Sequence, residues 1–183
     1  MKLDELTVNK KPKTNTPHLY LDMDGVQADF FGAWARANGV SNWKAIHDKE
    51  KEIEVLAHSS YDRVYEFFDE LSPLPGGLQL ISWLKTNKIA FTVCSAPLRG
   101  PWADASIAAK KNWLDRYNPG TSDSAIFTSD KYRYALFNGD ANVLVDDYDP
   151  YLNAWRNAGG IAVKYKDRLV QQVIQELEVI YSK

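Results

Sequence analysis

Short apolar segments that end in polar or acidic residues recur along this chain, with helical patterns between them. The segments predict β-strands at residues 18–22, 89–94, 125–128, 142–146 and 160–164. Apolar residues spaced three and four apart predict helices at residues 78–85, 107–117, 150–158 and 168–181. Strands and helices that alternate at these lengths build a parallel sheet with helices on both faces. We therefore predict an α/β fold.

Two stretches fall outside this alternation. Residues 1–16 are polar and rich in lysine, and we predict a flexible arm there. Residues 33–72 carry aromatic and aliphatic residues at roughly helical spacings, and a segment rich in proline and glycine follows them. This pattern predicts a small helical insertion within a main domain formed by residues 17–32 and 73–183.

Composition limits the partners and the location of the protein. A net charge of -2 gives no reason to expect a stable nucleic-acid partner, because such binding needs a clustered basic surface. Cys94 is the single cysteine, which excludes an internal disulfide and suits a reducing compartment. No stretch is apolar enough for a signal peptide or a membrane span. We expect a cytoplasmic protein with no membrane partner, and the sequence leaves a homodimer open.

The first acidic motif directly follows the first predicted strand and reads Asp22-Met23-Asp24-Gly25-Val26. Its two carboxylates lie at the end of a strand, where parallel sheets bind their ligands. Gly25 allows a tight turn at this point. For the motif taken alone, an acidic turn in which Asp24 caps a helix is the alternative interpretation.

A second acidic pair, Asp146 and Asp147, follows another predicted strand. Carboxylates brought to one edge of a sheet repel each other unless a hard divalent cation lies among their oxygens. Mg²⁺ typically binds one or two carboxylates together with waters and a substrate phosphate. The two acidic motifs together predict a magnesium site, and a solvated pair of loop aspartates is the alternative.

Two further segments carry candidate phosphate ligands. Ser95 follows the second predicted strand and can donate its hydroxyl to a phosphate oxygen, and Arg99 can add a charge-assisted hydrogen bond. Lys131 follows the third predicted strand, where an ammonium group can neutralise both a phosphate and a nucleophile. A turn serine and a solvated loop lysine are the alternatives for these residues.

These motifs, in this order, resemble the haloacid dehalogenase (HAD) superfamily of phosphatases. The first motif matches Asp22 and Asp24, the second Ser95, the third Lys131, and the fourth Asp146 and Asp147. The implied architecture is a Rossmann-like HAD fold, a central parallel sheet flanked by helices, in which the helical insertion forms a small cap.

The segment from Asp22 to Phe30 is closer still to the 5'(3')-deoxyribonucleotidase branch, which more usually has leucine at the position of Gln27. Phe67 and Phe68, with a Leu-Pro-Gly segment after them, extend the likeness. So does the Cys-Ser-Ala-Pro segment, which stands where that branch has Cys-Thr-Ser-Pro. The resemblance covers most of residues 18–160, whereas residues 33–61 match poorly.

The resemblance implies a role for each motif. Asp22 is the nucleophile that forms an aspartyl-phosphate, and Asp24 is first the acid and then the base of the reaction. The implied ligands of Mg²⁺ are a carboxylate oxygen of Asp22, the backbone carbonyl of Asp24, and the acidic pair, in which Asp147 is favoured over Asp146 as the direct ligand. The implied phosphate ligands are Ser95, the N–H of Ala96, Arg99 and Lys131.

The resemblance implies a nucleoside monophosphate as the substrate, with deoxynucleotides preferred, held by aromatic rings. Phe30 matches a position that packs against the base in this branch, and Trp43, Tyr61 and Tyr65 of the insertion can stack on a flat base. Aromatic residues at helical spacing are also common core residues, which is the alternative for these side chains.

Two other functions stay open. One is a phosphatase for a sugar phosphate or for a nucleic-acid 3'-phosphate end, and the other is a non-catalytic binding module with the same fold. A polynucleotide substrate needs a basic track beside the site. Lys110, Lys111, Arg116 and Arg133 form such a track only if the fold brings them together.

Overall fold

The computed structural model describes residues 16–45 and 60–182. Residues 1–15 of the predicted arm and residues 46–59 of the predicted insertion lie outside the described residues.

The strands form one main sheet and one small hairpin. In chain order they are β1 (Leu19–Leu21), β2 (Phe91–Ser95), β3 (Ile126–Phe127), β4 (Leu136–Phe137), β5 (Asp140–Ala141), β6 (Val143–Asp146) and β7 (Ile161–Lys164). Five of them pair in parallel in the order β3-β2-β1-β6-β7, while β4 and β5 form an antiparallel hairpin that the apolar pattern did not predict. The predicted α/β fold with a parallel sheet is confirmed.

Helices cover both faces of this sheet. They are α1 (Phe30–Ala37), α2 (Tyr61–Asp69), α3 (Pro75–Thr86), α4 (Ala103–Tyr117), α5 (Asp149–Asn157) and α6 (Val170–Tyr181). Helices α3 and α6 share one buried cluster with Leu19, Leu21 and Val143 of the sheet. Helices α2 and α4 pack in a second cluster with Val93, and α5 packs in a third with Leu144. Apolar side chains alternate between the two faces because successive strand residues point in opposite directions.

The register of the strands brings the acidic motifs side by side. Leu21 of β1 pairs with Val145 of β6, and the N–H of Asp22 donates to the Val145 carbonyl at 3.0 Å. Asp22 and Asp146 each stand one residue beyond this pair, so both lie at the same level of the sheet. Residues at the same level of parallel strands project to the same side, which places their carboxylates together.

The described part of the predicted insertion packs against the main domain. Helix α2 lies along α4, where the indole N–H of Trp113 donates to the Leu71 carbonyl at 2.7 Å and Asn112 donates to Asp69 at 2.7 Å. Helix α1 begins at Phe30, before the predicted boundary at residue 33. The division into a domain and a cap stays a prediction.

Helix α3 supports the acidic loop through a close backbone contact at Gly77. A Cβ at this position would overlap the Val26 carbonyl oxygen and lie 2.9 Å from Cα of Gln27. Both of those atoms belong to the turn that follows β1. The glycine therefore lets the helix pack directly on the backbone that carries Asp22 and Asp24.

We predict that Gly77→Ala destabilises the protein although alanine is the better helix former. Overpacking of this kind costs about 1–3 kcal/mol, whereas helix propensity alone would gain about 1 kcal/mol. Urea denaturation measures the difference, and Gln79→Ala, an exposed change in the same helix, should stay within about 0.5 kcal/mol. A stabilised Gly77→Ala variant would contradict the close packing.

Candidate active site

The loop after β1 turns sharply and directs two carboxylates to the end of the sheet. Gly25 has a φ of 78°, a backbone conformation that favours glycine, and its N–H donates to the Ala28 carbonyl at 2.8 Å. The N–H groups of Gln27 and Ala28 both donate to the Met23 carbonyl. Asp24 does not cap α1, because Asp29 accepts the hydrogen bond from the N–H of Gly32 at 2.9 Å.

Lys131 joins the two acidic strand ends. Its Nζ lies 2.7 Å from Oδ1 of Asp22 and 2.7 Å from Oδ2 of Asp146, and the exposed fractions of the three side chains are 1%, 7% and 0%. Burial alone lowers the pKa of Lys131, but the charges of Asp22 and Asp146 outweigh it and raise the pKa. This lysine therefore stays an ammonium group, although it is buried.

Asp147 completes a cluster of three acids. Asp22, Asp146 and Asp147 each offer a carboxylate oxygen, and these oxygens lie within 4.8 Å of one another. Burial, followed by the charge of Asp22, raises the pKa of Asp146 to about 7 and that of Asp147 to about 8. Three crowded hard oxygen donors suit Mg²⁺ in their chemistry, and a cation among them would remove the repulsion that raises both pKa values.

Asp24 lies on the other side of the site, beside a second buried lysine. Nζ of Lys110 in α4 donates to Oδ2 of Asp24 at 2.7 Å and to Oγ of Ser95 at 3.0 Å. Burial raises the pKa of Asp24, and the Lys110 ammonium offsets part of that increase. A carboxyl group with a raised pKa is suited to donate a proton near neutral pH.

A cavity of about 230 Å³ opens over these groups. Its charged lining comes from Asp22, Asp24, Lys131 and Asp147, its aromatic lining from Phe30, Phe31, Tyr148 and Tyr151, and Ala96 completes it. The structure therefore brings the charged residues of three of the predicted motifs together around a space that is open to ligands. Ser95 is fully buried and does not line the cavity, whereas the next residue, Ala96, does.

Six predicted site residues do not line this cavity within the described part of the chain. Ser95 and Asp146 are buried and accept hydrogen bonds from Lys110 and Lys131. The other four are Arg99, Trp43, Tyr61 and Tyr65. Arg99 is exposed at the start of a 3-10 helix, and Tyr61 is 47% exposed on the first turn of α2. The ring of Tyr65 packs into the cluster between α2 and α4. Trp43 reaches the site only indirectly, because its ring contacts Phe31 at a centroid distance of 4.9 Å. Their roles in substrate binding stay predictions.

Several residues at the site were not identified from the sequence. Phe31, Tyr148 and Tyr151 line the cavity, and Nζ of Lys131 lies 4.6 Å from the centre of the Tyr151 ring. Lys110 was named only as a possible member of a basic track for a polynucleotide. The helical spacing offered a signal, since Ser106, Lys110 and Leu114 repeat every four residues on the buried side of α4 whereas Lys111 lies off it.

Gln27, at the position that departs from the deoxyribonucleotidase pattern, is fully buried and hydrogen-bonded. Its Nε2 donates to the backbone carbonyl of Asp22 at 2.9 Å, and its Oε1 accepts from Nδ2 of Asn118 at 3.0 Å. These bonds connect the end of α4 to the backbone of the acidic strand. An amide is therefore tolerated at a buried position that leucine usually fills, since both its amino group and its carbonyl oxygen have hydrogen-bond partners.

Three of the four residues that could have formed a basic track are paired with acids, and Lys111 is exposed. Lys110 is buried, Arg116 pairs with Asp69 at 2.9 Å, and Arg133 pairs with Asp130 at 3.3 Å. A larger cavity of about 490 Å³ includes His18, Tyr20 and Asp140 in its lining, but it does not contain the acidic cluster. None of the described helices is long and apolar enough to cross a membrane.

The fold defines the class of architecture: a parallel sheet flanked by helices, with the acidic cluster at its carboxyl edge, is the Rossmann-like HAD fold. The family model described as "5' nucleotidase, deoxy (Pyrimidine), cytosolic type C protein" matches residues 16–172. The chain belongs to this family and is a phosphatase of the HAD superfamily, as its motifs predicted. No sequence among the curated proteins is similar enough to count as a match.

Solved structures show the same fold at low sequence identity. A candidate beta-phosphoglucomutase from Thermotoga maritima has a TM-score of 0.51 and 16% identity, with 88% of this chain and 99% of that chain covered. A candidate phosphoglycolate phosphatase from Lactobacillus delbrueckii subsp. bulgaricus has a TM-score of 0.51 and 15% identity, with 93% and 100% covered. A hydrolase from Streptococcus pneumoniae TIGR4 has a TM-score of 0.51 and 12% identity, with 92% and 100% covered.

The pKa values of the acidic pair predict how Mg²⁺ stabilises the protein at different pH. Asp146 and Asp147 titrate near 7 and 8 in the fold, well above an unfolded value of about 3.9. The folded state then binds more protons than the unfolded state from about pH 4 to pH 8, so the metal-free protein loses stability as pH rises through this range. Mg²⁺ requires the deprotonated carboxylates and should restore the stability that is lost.

We therefore expect the increase in Tm caused by Mg²⁺, relative to EDTA, to be larger at about pH 8 than at about pH 6. Thermal unfolding followed by circular dichroism measures it, and Asp147→Asn should lose most of the increase. An increase that is equal at both pH values, or larger at the lower one, would contradict a metal site formed by this pair.

Proposed function

We propose that this protein is a Mg²⁺-dependent phosphomonoester hydrolase that acts on nucleoside monophosphates, with deoxynucleotides preferred, through an aspartyl-phosphate on Asp22. The observation that carries the proposal is the contact of Asp22 and Asp146 with one buried ammonium group beneath an open cavity. The match to a family described as a 5' nucleotidase supports the substrate class.

In the first step a carboxylate oxygen of Asp22 attacks phosphorus and the bond to the leaving oxygen breaks. Asp24 donates a proton to that leaving oxygen, a role that its raised pKa supports. Lys131 neutralises charge on Asp22 and on the transferring phosphoryl group, since its Nζ lies beside the nucleophile. The nucleoside then leaves as an alcohol, and the phosphoryl group stays on Asp22.

In the second step Asp24 takes a proton from a water molecule, and the water oxygen attacks phosphorus. The bond between phosphorus and Asp22 breaks, which releases phosphate and restores the carboxylate. We propose that Asp22, Asp147, Asp146 and the backbone carbonyl of Asp24 hold Mg²⁺. When bound, this ion supplies positive charge that binds the phosphate oxygens and stabilises the transition state.

Aromatic side chains at the cavity support a flat base as part of the substrate. Phe30 and Phe31 belong to one segment of the lining and Tyr148 and Tyr151 to another, and rings of this kind stack on bases of any sequence. A polynucleotide end is less well supported, because three of the four candidate basic residues, Lys110, Arg116 and Arg133, are paired with acids. The single cysteine and the nucleotide substrate class together suit a cytoplasmic location.

We predict that the protein releases phosphate from nucleoside monophosphates in Mg²⁺, and that EDTA abolishes the reaction. Asp22→Asn keeps the size of the side chain but removes the nucleophile, so kcat should fall by about 1,000-fold or more. Phosphate release from 5'- and 3'-nucleotides, ribose 5-phosphate and a 3'-phosphorylated oligonucleotide measures both activity and specificity.

Asp123→Asn, an exposed change elsewhere in the chain, is the matched control and should retain wild-type activity. Turnover of ribose 5-phosphate or of the oligonucleotide alone would keep the phosphatase mechanism and contradict the nucleotide assignment. A folded protein that releases phosphate from none of these esters would contradict the proposed function.

A further inference from the structure

Lys110 is a buried charged side chain that the steps proposed above do not use. Its exposed fraction is 0%, and its Nζ donates to Asp24 at 2.7 Å, to Ser95 at 3.0 Å and to the Ala96 carbonyl at 2.6 Å. Three acceptors around one nitrogen match the three N–H donors of an ammonium group. Burial of such a charge is costly unless it is paired and fully hydrogen-bonded, as it is here.

The carboxyl group of Asp24 depends on this lysine for its position. Oδ2 accepts the hydrogen bond from Lys110, whereas Oδ1 is buried and has no hydrogen-bond partner within residues 16–45 and 60–182. Among the described residues, Lys110 therefore supplies the one polar contact that fixes the orientation of this carboxyl group. Without it, no polar contact among the described residues would hold the carboxyl group in this orientation.

The same ammonium group determines the polarity of Ser95. An ammonium nitrogen has no acceptor site, so Oγ of Ser95 must accept the hydrogen bond from Lys110. The serine hydroxyl proton is then free to be donated elsewhere. A phosphoryl group bound beside Ala96 is an acceptor for that proton, because Ala96 lines the cavity directly after Ser95.

We propose that Lys110 is a positioning residue for acid-base catalysis by Asp24. It anchors the carboxyl group in helix α4 so that the proton moves to the leaving oxygen, and it also directs the hydroxyl of Ser95. This inference rests on the proposed function, since it assigns a partner to the acid of that reaction. It adds to the motifs a residue of α4 that touches neither the substrate nor the cation.

Two esters that differ in their need for an acid test this role. A nucleoside alkoxide is a poor leaving group and requires protonation, whereas p-nitrophenolate leaves as a stable anion. We therefore compare the rates of the first burst of alcohol release from a nucleoside monophosphate and from p-nitrophenyl phosphate. The burst reports formation of the aspartyl-phosphate, which differs between the two esters. The later hydrolysis starts from the same aspartyl-phosphate for both esters and cannot distinguish them.

Lys110→Met removes the ammonium group and keeps a similar length of side chain. We expect its burst rate with the nucleotide to fall by about 100-fold or more, and its burst rate with p-nitrophenyl phosphate to fall by less than about 10-fold. Lys111→Met, an exposed change at the next position of α4, should leave both rates unchanged. In an Asp24→Asn background, Lys110→Met should cause little further loss with the nucleotide.

A merely structural role of Lys110 would slow both esters equally, and that result would overturn the proposal. So would a full additional loss in the Asp24→Asn background. If circular dichroism shows that Lys110→Met does not fold, the two burst rates are compared for Lys110→Arg instead. The planar guanidinium of arginine keeps the charge but cannot reproduce three donors on one nitrogen. A wild-type ratio of the two rates in that variant would overturn the proposal.

The activity of the wild-type protein separates this inference from the function on which it rests. An active wild type whose Lys110 variants show no selectivity between the esters overturns the positioning role alone. A folded wild type that cleaves neither ester overturns the proposed function, and the positioning role with it.

Discussion

The contact of one buried ammonium group with two strand ends is the interaction on which the site depends. Nζ of Lys131 reaches both Asp22 and Asp146 at 2.7 Å, and those carboxylates stand at the same level of adjacent parallel strands. Removing one member of a buried charge pair is costly because the other charge is left without compensation. The lysine therefore makes it possible for the sheet to end in clustered acids.

The charges at this edge are balanced only when a further positive charge is present. The carboxylates of Asp22, Asp24, Asp146 and Asp147 face the ammonium groups of Lys110 and Lys131, so two negative charges remain when all of these groups are ionised. Burial and, after it, the neighbouring negative charge raise the pKa of Asp146 to about 7 and that of Asp147 to about 8, so protons can supply part of the balance. A divalent cation supplies the same charge without protonating the nucleophile, and this competition links the metal, the pH and the stability of the fold.

Much of the fold and the acidic part of the site could be predicted from local sequence. Strands of a parallel sheet are continuous apolar runs, and the residues that directly follow such a run lie at the edge of the sheet where ligands bind. Asp22 directly follows β1, and Asp146 is the last residue of β6. Lys110 could not be assigned in this way, since its partners Asp24 and Ser95 lie on two other elements and only the packing of α4 brings them together. The hairpin of β4 and β5 was also missed, because two-residue strands carry no periodic pattern.

The aromatic residues show the same limit. Phe30 was identified because it matches a position that packs against the base in the deoxyribonucleotidase branch. Tyr148 and Tyr151, near the start of α5, also line the cavity but were not identified. Trp43 and Tyr65 are also aromatic residues, but their rings contact other aromatic or apolar side chains and do not line the cavity. Residue type and helical spacing therefore do not distinguish a ring that lines a cavity from one that packs a core.

The central claim is that Asp22 becomes covalently phosphorylated, and chemical trapping tests it most directly. Wild-type protein is mixed with a nucleoside monophosphate and Mg²⁺, quenched in acid during the burst and treated with borohydride, which reduces an aspartyl-phosphate to homoserine. Peptide mass spectrometry should then find homoserine at position 22 and unchanged aspartate at positions 24, 146 and 147. Reduction at another aspartate, or release of phosphate with no aspartate reduced, would contradict the account.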